Sequence, residues 1–182
     1  MNRLNHNDQI YLSELLTQCK FSTRAIFYLE TALNEDFDKY DIDEVWYHVQ
    51  MFLVSVGNVS KMLYSNPSKK SLKKYVDHHS EIARSHNLPE LDFKNELLLR
   101  NYYEHYDEKL VDWLEGTPPN VAKMLNNIGP IDSFIGGMSF SYLKHLDTSS
   151  KILHLLDRSI NLSDTYNKLV ILEEHIEKIL SE

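Results

Sequence analysis

The sequence predicts a mainly α-helical chain: a bundle of four to five helices, with a small C-terminal β-hairpin before the last helix. Three observations lead there. Gly and Pro number only five each in 182 residues, too few to punctuate a loop-rich or all-β chain. Apolar residues recur at steps of three and four over long stretches. That period lapses between about residues 117 and 162, close to where residues 116–137 gather four of the five glycines and three of the five prolines.

The first helix is expected over about Asp8–Asn34. Ile10, Leu12, Leu15, Leu16, Cys19, Phe21, Ile26, Phe27, Leu29 and Leu33 fit a helical period loosely, with room for a break at Ser22-Thr23. The second starts at Asp41, whose Asp-Ile-Asp-Glu has the form of a capping box closed by Glu44. Val45, Val49, Phe52, Val56, Val59 and Leu63 then make one buried face, and Asn66-Pro67 ends it. Gly57 in mid-helix suggests close approach of a neighbour.

A short polar third helix is expected over about 68–85, followed by a break at Asn87-Leu88-Pro89. Pro89 suits the first turn of a fourth helix, about 90–115, which Gly116 and Pro118-Pro119 stop. Beyond it, 140–147 and 151–157 read as the arms of a hairpin, and 151–157 also admits a helical reading. Ser163 would cap the last helix, to about Leu180. The expected organisation is a single domain over 1–182: a bundle at about 8–116, a hairpin-containing insertion at about 117–162, and a terminal helix at about 163–181.

Bulk properties narrow the function. The lone Cys19 excludes an intramolecular disulfide and a zinc site of several thiolates. No apolar run approaches the roughly 20 residues that span a bilayer, so no membrane partner is expected. Met1-Asn-Arg-Leu-Asn-His lacks the apolar stretch of a secretion signal, so a cytoplasmic location is expected. A formal net charge of −8 repels nucleic acid at long range, so any such contact needs a local basic patch. Gly-rich phosphate loops and nucleophile-elbow or zincin motifs do not occur, and no cofactor or metal is expected.

The fourth helix carries the densest polar cluster, in Leu97-Leu-Leu-Arg-Asn-Tyr-Tyr-Glu-His-Tyr-Asp-Glu-Lys-Leu-Val-Asp-Trp113. At about 100° per residue, Leu99, Tyr103, Tyr106, Leu110 and Trp113 form the core seam. Asn101 and His105 stack on the far side. Arg100 lies about 140° from His105, with a stem long enough to swing toward it. An ordinary solvated face explains such residues, and so does a site in a groove or at a subunit contact.

Arg100-Asn101-Tyr102-Tyr103-Glu104-His105 resembles the R-N-x-x-x-H form of the R-x(4–6)-H motif of HEPN domains. The longer phrase Leu-Arg-Asn-x-x-Glu-His-x-Asp-Glu-Lys-Leu and the second-helix ending Val56-Gly-Asn-Val-Ser-Lys-Met-Leu63 are similar to uncharacterised bacterial members. The resemblance covers about residues 8–115. It implies a four- or five-helix bundle that forms a homodimer, with two motifs facing across a cleft. It also implies RNA or nucleotide binding, metal-independent endoribonuclease activity of the toxin or defence type, and an antitoxin-type partner. Carried over, His105 would be the general acid/base, Arg100 the phosphate clamp, and Asn101 the residue that orients one of them. Relatives paired with a minimal nucleotidyltransferase carry tyrosine two places after the histidine, where this chain has Asp107. The resemblance does not extend to that mode of control.

The chemistry suits those side chains. Imidazole titrates near neutrality and moves protons, and guanidinium binds a phosphoryl group through two parallel hydrogen bonds. One histidine per chain cannot be acid and base at once, so two chains would be needed.

Lys69, Lys70, Lys73 and Lys74, with Arg84 beyond, form the one basic concentration. They would guide a phosphate backbone toward Arg100, or else simply solvate a lysine-rich helix. His78-His79 with Glu81 read as surface histidines, since adjacent helical residues diverge by about 100°. No role is assigned to His145, His154 or His175, and Cys19 reads as a small buried hydrophobe.

Overall fold

The computed structural model describes residues 4–34, 41–63, 73–130 and 139–182. Among these the chain is mostly helical with one small sheet, in the order α1 (His6–Leu33), α2 (Ile42–Leu63), α3 (Lys73–Ser85), α4 (Lys94–Glu104), α5 (Tyr106–Gly116), β1 (Ala122–Ile128), β2 (Phe140–Asp147), β3 (Ile152–Leu155), β4 (Arg158–Asn161), α6 (Leu162–Ser181). The expected stop at Asn66-Pro67 lies outside the described residues. Two compact units are formed: Met1–Leu97 with Tyr166–Glu182, and Leu98–Thr165.

In the first unit α1 packs along α2. Every member of the expected α2 face is buried, joined by Trp46 and Leu53. From α1, Leu12, Leu15, Cys19, Ile26 and Leu29 are buried, whereas Ile10, Phe21 and Phe27 stay exposed. The period there was loose because only part of it belongs to the core. There is no break at Ser22-Thr23. Ser22 Oγ donates to Gln18 O (2.9 Å) and Thr23 Oγ1 to Cys19 O (3.3 Å), so both hydroxyls bond back along a continuous helix. From α6, Leu169, Leu172 and Ile176 are fully buried.

The caps differ from expectation in detail. Asp41 accepts from the Asp43 amide (2.8 Å), but Glu44 faces His48 at 3.6 Å instead of closing a box. Asn161, not Ser163, caps α6: its Oδ1 accepts from Asp164 N at 3.0 Å. Pro89 does not open α4, which starts at Lys94 with Asp92 Oδ1 accepting from Lys94 N at 2.9 Å. The approach to α4 is pinned by Ser60 Oγ, which donates to Phe93 O (3.1 Å), and by Lys168, which donates to Asp92 O (2.7 Å) and pairs with buried Glu96.

The second unit holds the largest departures. The expected fourth helix is two helices, interrupted at His105 with φ −101° and ψ 36°. His105 N still donates to Asn101 O (3.2 Å), and Lys109 N to His105 O (3.0 Å). The interruption falls where Tyr102, Tyr103, His105 and Tyr106 crowd four weak helix formers into five positions. The expected hairpin arms hold the antiparallel pair β2–β3, but inside a four-stranded sheet in the order β1-β2-β3-β4. β1 runs parallel to β2, while β2–β3 and β3–β4 are antiparallel. Residues 152–155 are strand, which removes the helical alternative.

The sheet register decides what meets what. Ile128, Leu146, Leu153 and Ile160 are successive partners across all four strands, the last three of them buried. The adjacent row is Asn127, His145, His154 and Ser159.

Candidate functional site

Arg100 and Asn101 stand in the last turns of α4, with His105 in the interruption that follows. The Arg100 side chain is only 12% exposed. Its Nη1 donates to Glu104 in a close ion pair and makes a long contact to Asn101 Oδ1 at 3.4 Å. Its Nε is buried with no partner among the described residues. A guanidinium placed this way has a donor to spare, and an unpaired buried donor costs about 1–3 kcal/mol.

His105 is different in kind. Its side chain is 63% exposed, and Nδ1 lies 3.8 Å from Glu108, outside hydrogen-bond range. A largely buried guanidinium and an open imidazole therefore sit within one stretch of six residues. The Asn101 side chain approaches the guanidinium, and its backbone carbonyl accepts from His105 N. The rings of Tyr103 and Tyr106, on either side of the interruption, lie 5.6 Å apart, and burial raises both phenol pKa values. Leu99 and Trp113 from the expected seam are buried, while Tyr103, Tyr106 and Leu110 are partly exposed. The interruption at His105 keeps one straight stripe from forming.

The basic residues fall in the other unit. Lys69 and Lys70 lie outside the described residues, as does the side chain of Lys73. Lys74 is exposed, with its ammonium 5.1 Å from the Tyr75 ring. Arg84 borders a groove whose lining also includes Glu90, Asp92 and Lys94, so its surroundings carry both signs of charge. His78 and His79 pack near Tyr11, with ring centroids at 5.7 and 5.5 Å. Among the described residues no group of three or more His, Cys, Asp or Glu is placed to hold a metal.

A second cluster was not singled out in the sequence. His145 on β2 is 2% exposed, and its Nδ1 lies 2.8 Å from Asn127 Nδ2. His154 sits beside it with ring centroids 5.5 Å apart, and Tyr142 on its other side at 5.3 Å. Desolvation holds both imidazoles below their ordinary pKa, assisted for His145 by His154 and opposed for both by Asp147. Only the register brings these residues together: the histidines are nine positions apart in sequence, and Asn127 comes from a strand that was not foreseen. Alternation in 140–147 was the one available hint.

Searches against protein-family models, curated proteins and solved structures each find no match to this chain.

Proposed function

We propose that the chain is a HEPN-like protein that binds RNA through Arg100, Asn101 and His105, and cleaves it without a metal when two copies face each other. The supporting observation is the pairing of a largely buried Arg100, whose Nε lacks a partner, with an exposed His105 at a helix interruption five residues on. A phosphate oxygen on Nε would satisfy the orphan donor, and a second oxygen on Nη would complete a bidentate contact. One His105 takes the proton of the ribose 2′-hydroxyl as that oxygen attacks phosphorus. The His105 of the facing copy gives a proton to the departing 5′-oxygen. Arg100 bears the charge that builds on the phosphoryl oxygens. Exposed Tyr47, Met51 and Val54, at a four-then-three spacing on α2, offer apolar area for contact between copies.

A second reading is favoured by one contact. Glu104 already occupies the Arg100 guanidinium, as expected of a non-catalytic helical interaction module, or a nucleotide-binding protein with a degenerate site. The test is cleavage of a generic RNA in chelator by the parent and by His105→Ala, with sizing chromatography alongside. Loss of cleavage in the variant, from a dimeric parent, supports the nuclease. Equal activity in the two removes the catalytic role, and a clean monomer removes the shared cleft.

A further inference from the structure

The geometry points to a ligand site on the sheet of the second unit: the groove beside β2 and β3 takes a planar heteroaromatic ring of the nucleobase class, stacked on a row of protein rings and bonded to His145 Nε2. The groove has a volume of about 430 Å³ and is lined by Phe140, Ser141, Tyr142, His145, His154 and the Leu156–Asp157 turn. That size falls in the range of about 300–1,000 Å³ typical of small-ligand sites.

Its wall is a continuous run of rings. Phe140 and Tyr142 lie 6.2 Å apart and nearly parallel at 18°. Tyr142 and His145 follow at 5.3 Å and 31°, then His145 and His154 at 5.5 Å and 34°. Such a row accepts flat rings of many kinds, because every base has a π-face.

One polar group among the lining residues makes the row more than packing. His145 Nε2 is buried and has no partner among the described residues. Asn127 Nδ2 donates to Nδ1 at 2.8 Å, which leaves the neutral imidazole with its proton on Nε2. The lowered pKa of both histidines, from desolvation, keeps them neutral, so the site offers a hydrogen-bond donor and not a cation. A buried donor without an acceptor is costly, and a ring nitrogen or carbonyl oxygen of a ligand is the acceptor it lacks. Leu156 borders the groove from a left-handed backbone, φ +53°, a conformation that branched side chains avoid.

Stacking and one edge bond define a heteroaromatic ring. Naming that ring a nucleobase rests on the RNA reading above. The base would come either from a free nucleotide or from an unpaired position in single-stranded RNA.

The test uses the full chain and ¹H–¹⁵N spectra. Trp113 Nε1–H donates to Ser141 Oγ at 2.8 Å, so its indole signal reports on the groove wall. Adenosine monophosphate, uridine monophosphate, a short single-stranded oligonucleotide and ribose 5-phosphate are titrated separately. The ring-bearing probes are expected to shift the Trp113 indole and the His145 and His154 ring nitrogens, and ribose 5-phosphate is expected to leave them unchanged. Tyr142→Ala and His154→Ala should each weaken binding about tenfold, as loss of one stacking partner does. His145→Phe, which keeps a ring and removes Nε2–H, should do likewise, and Tyr142→Phe should retain binding. Response to the oligonucleotide alone assigns the site to RNA, and response to mononucleotides as well assigns it to free nucleotides. Equal shifts with ribose 5-phosphate, or silence of all three reporters, overturn the inference. RNA cleaved in a His105-dependent way while the groove stays silent would sink the groove and spare the nuclease. Groove shifts in a protein that neither binds nor cleaves RNA would do the reverse.

Discussion

Glu104 decides how available Arg100 is. The guanidinium is held at Nη1 by a carboxylate from its own helix one turn on, a negative charge that competes with any phosphate for this side chain. Glu104 is 48% exposed but Arg100 only 12%, so solvent screens the pair on the carboxylate side alone. Glu104→Gln removes the competing charge and is expected to tighten RNA or phosphate binding several-fold, read by titration of the two proteins side by side. Unchanged affinity would mean that phosphate does not use Arg100. A second residue carries local stability. Asp147 Oδ1 accepts from Ser149 N (2.9 Å), Ser149 Oγ (2.7 Å) and Ser150 N (3.3 Å) in the turn after β2. These bonds, the Ser149 side chain first, hold its pKa down from the ordinary 3.8 to about 2. The stabilisation is therefore complete above about pH 4 and is lost as pH falls toward 2. Asp147→Asn should cost about 1–2 kcal/mol in urea unfolding at pH 7, with the gap to the parent narrowing between pH 4 and pH 2.

The strands and helices differ in how openly the sequence declares them. α2 was legible because its buried face repeats every three or four residues and is rich in valine. α4–α5 was legible as helix but not as two helices. Both halves keep the apolar period, and the interruption at His105 still keeps flanking backbone bonds. β1 was not legible: Lys123, Asn126 and Asn127 are poor strand formers, and its partner β2 lies across a parallel connection. β4 is only four residues long. The motif residues could be named from sequence, but neither the Glu104 contact nor the His145–His154 row could. The first depends on a rotamer and the second on strand register. Lys151, in the β2–β3 turn, has φ +55° and is exposed. Lys151→Gly should relieve that conformation and stabilise the chain by about 1 kcal/mol, visible as a raised Tm. In the first unit, Leu15 is fully buried on α1. Leu15→Ala should cost about 2–5 kcal/mol in denaturant unfolding.

At the scale of the molecule, the acidic balance sets a test of how RNA would be held. For single strands, log affinity falls against log salt by about 0.7 for each phosphate neutralised. One Arg100 from each of two copies then gives a slope of about −1.4, and lysines that join in steepen it. Replacing Lys73 and Lys74 together with Ala should flatten the slope by about 1.4 for each copy that uses both. No change would limit the contact to the motif and leave the lysines to the solvated face.

The first unit draws on both Met1–Leu97 and Tyr166–Glu182, whereas the second is one uninterrupted stretch. During synthesis the stretch with the sheet has all its strands before the last turns of α6 leave the ribosome. The first unit must meanwhile wait for α6, whose Leu169, Leu172 and Ile176 are fully buried once it has folded. The nascent chain therefore has an interval of vulnerability to aggregation and chaperone capture that closes when α6 has emerged.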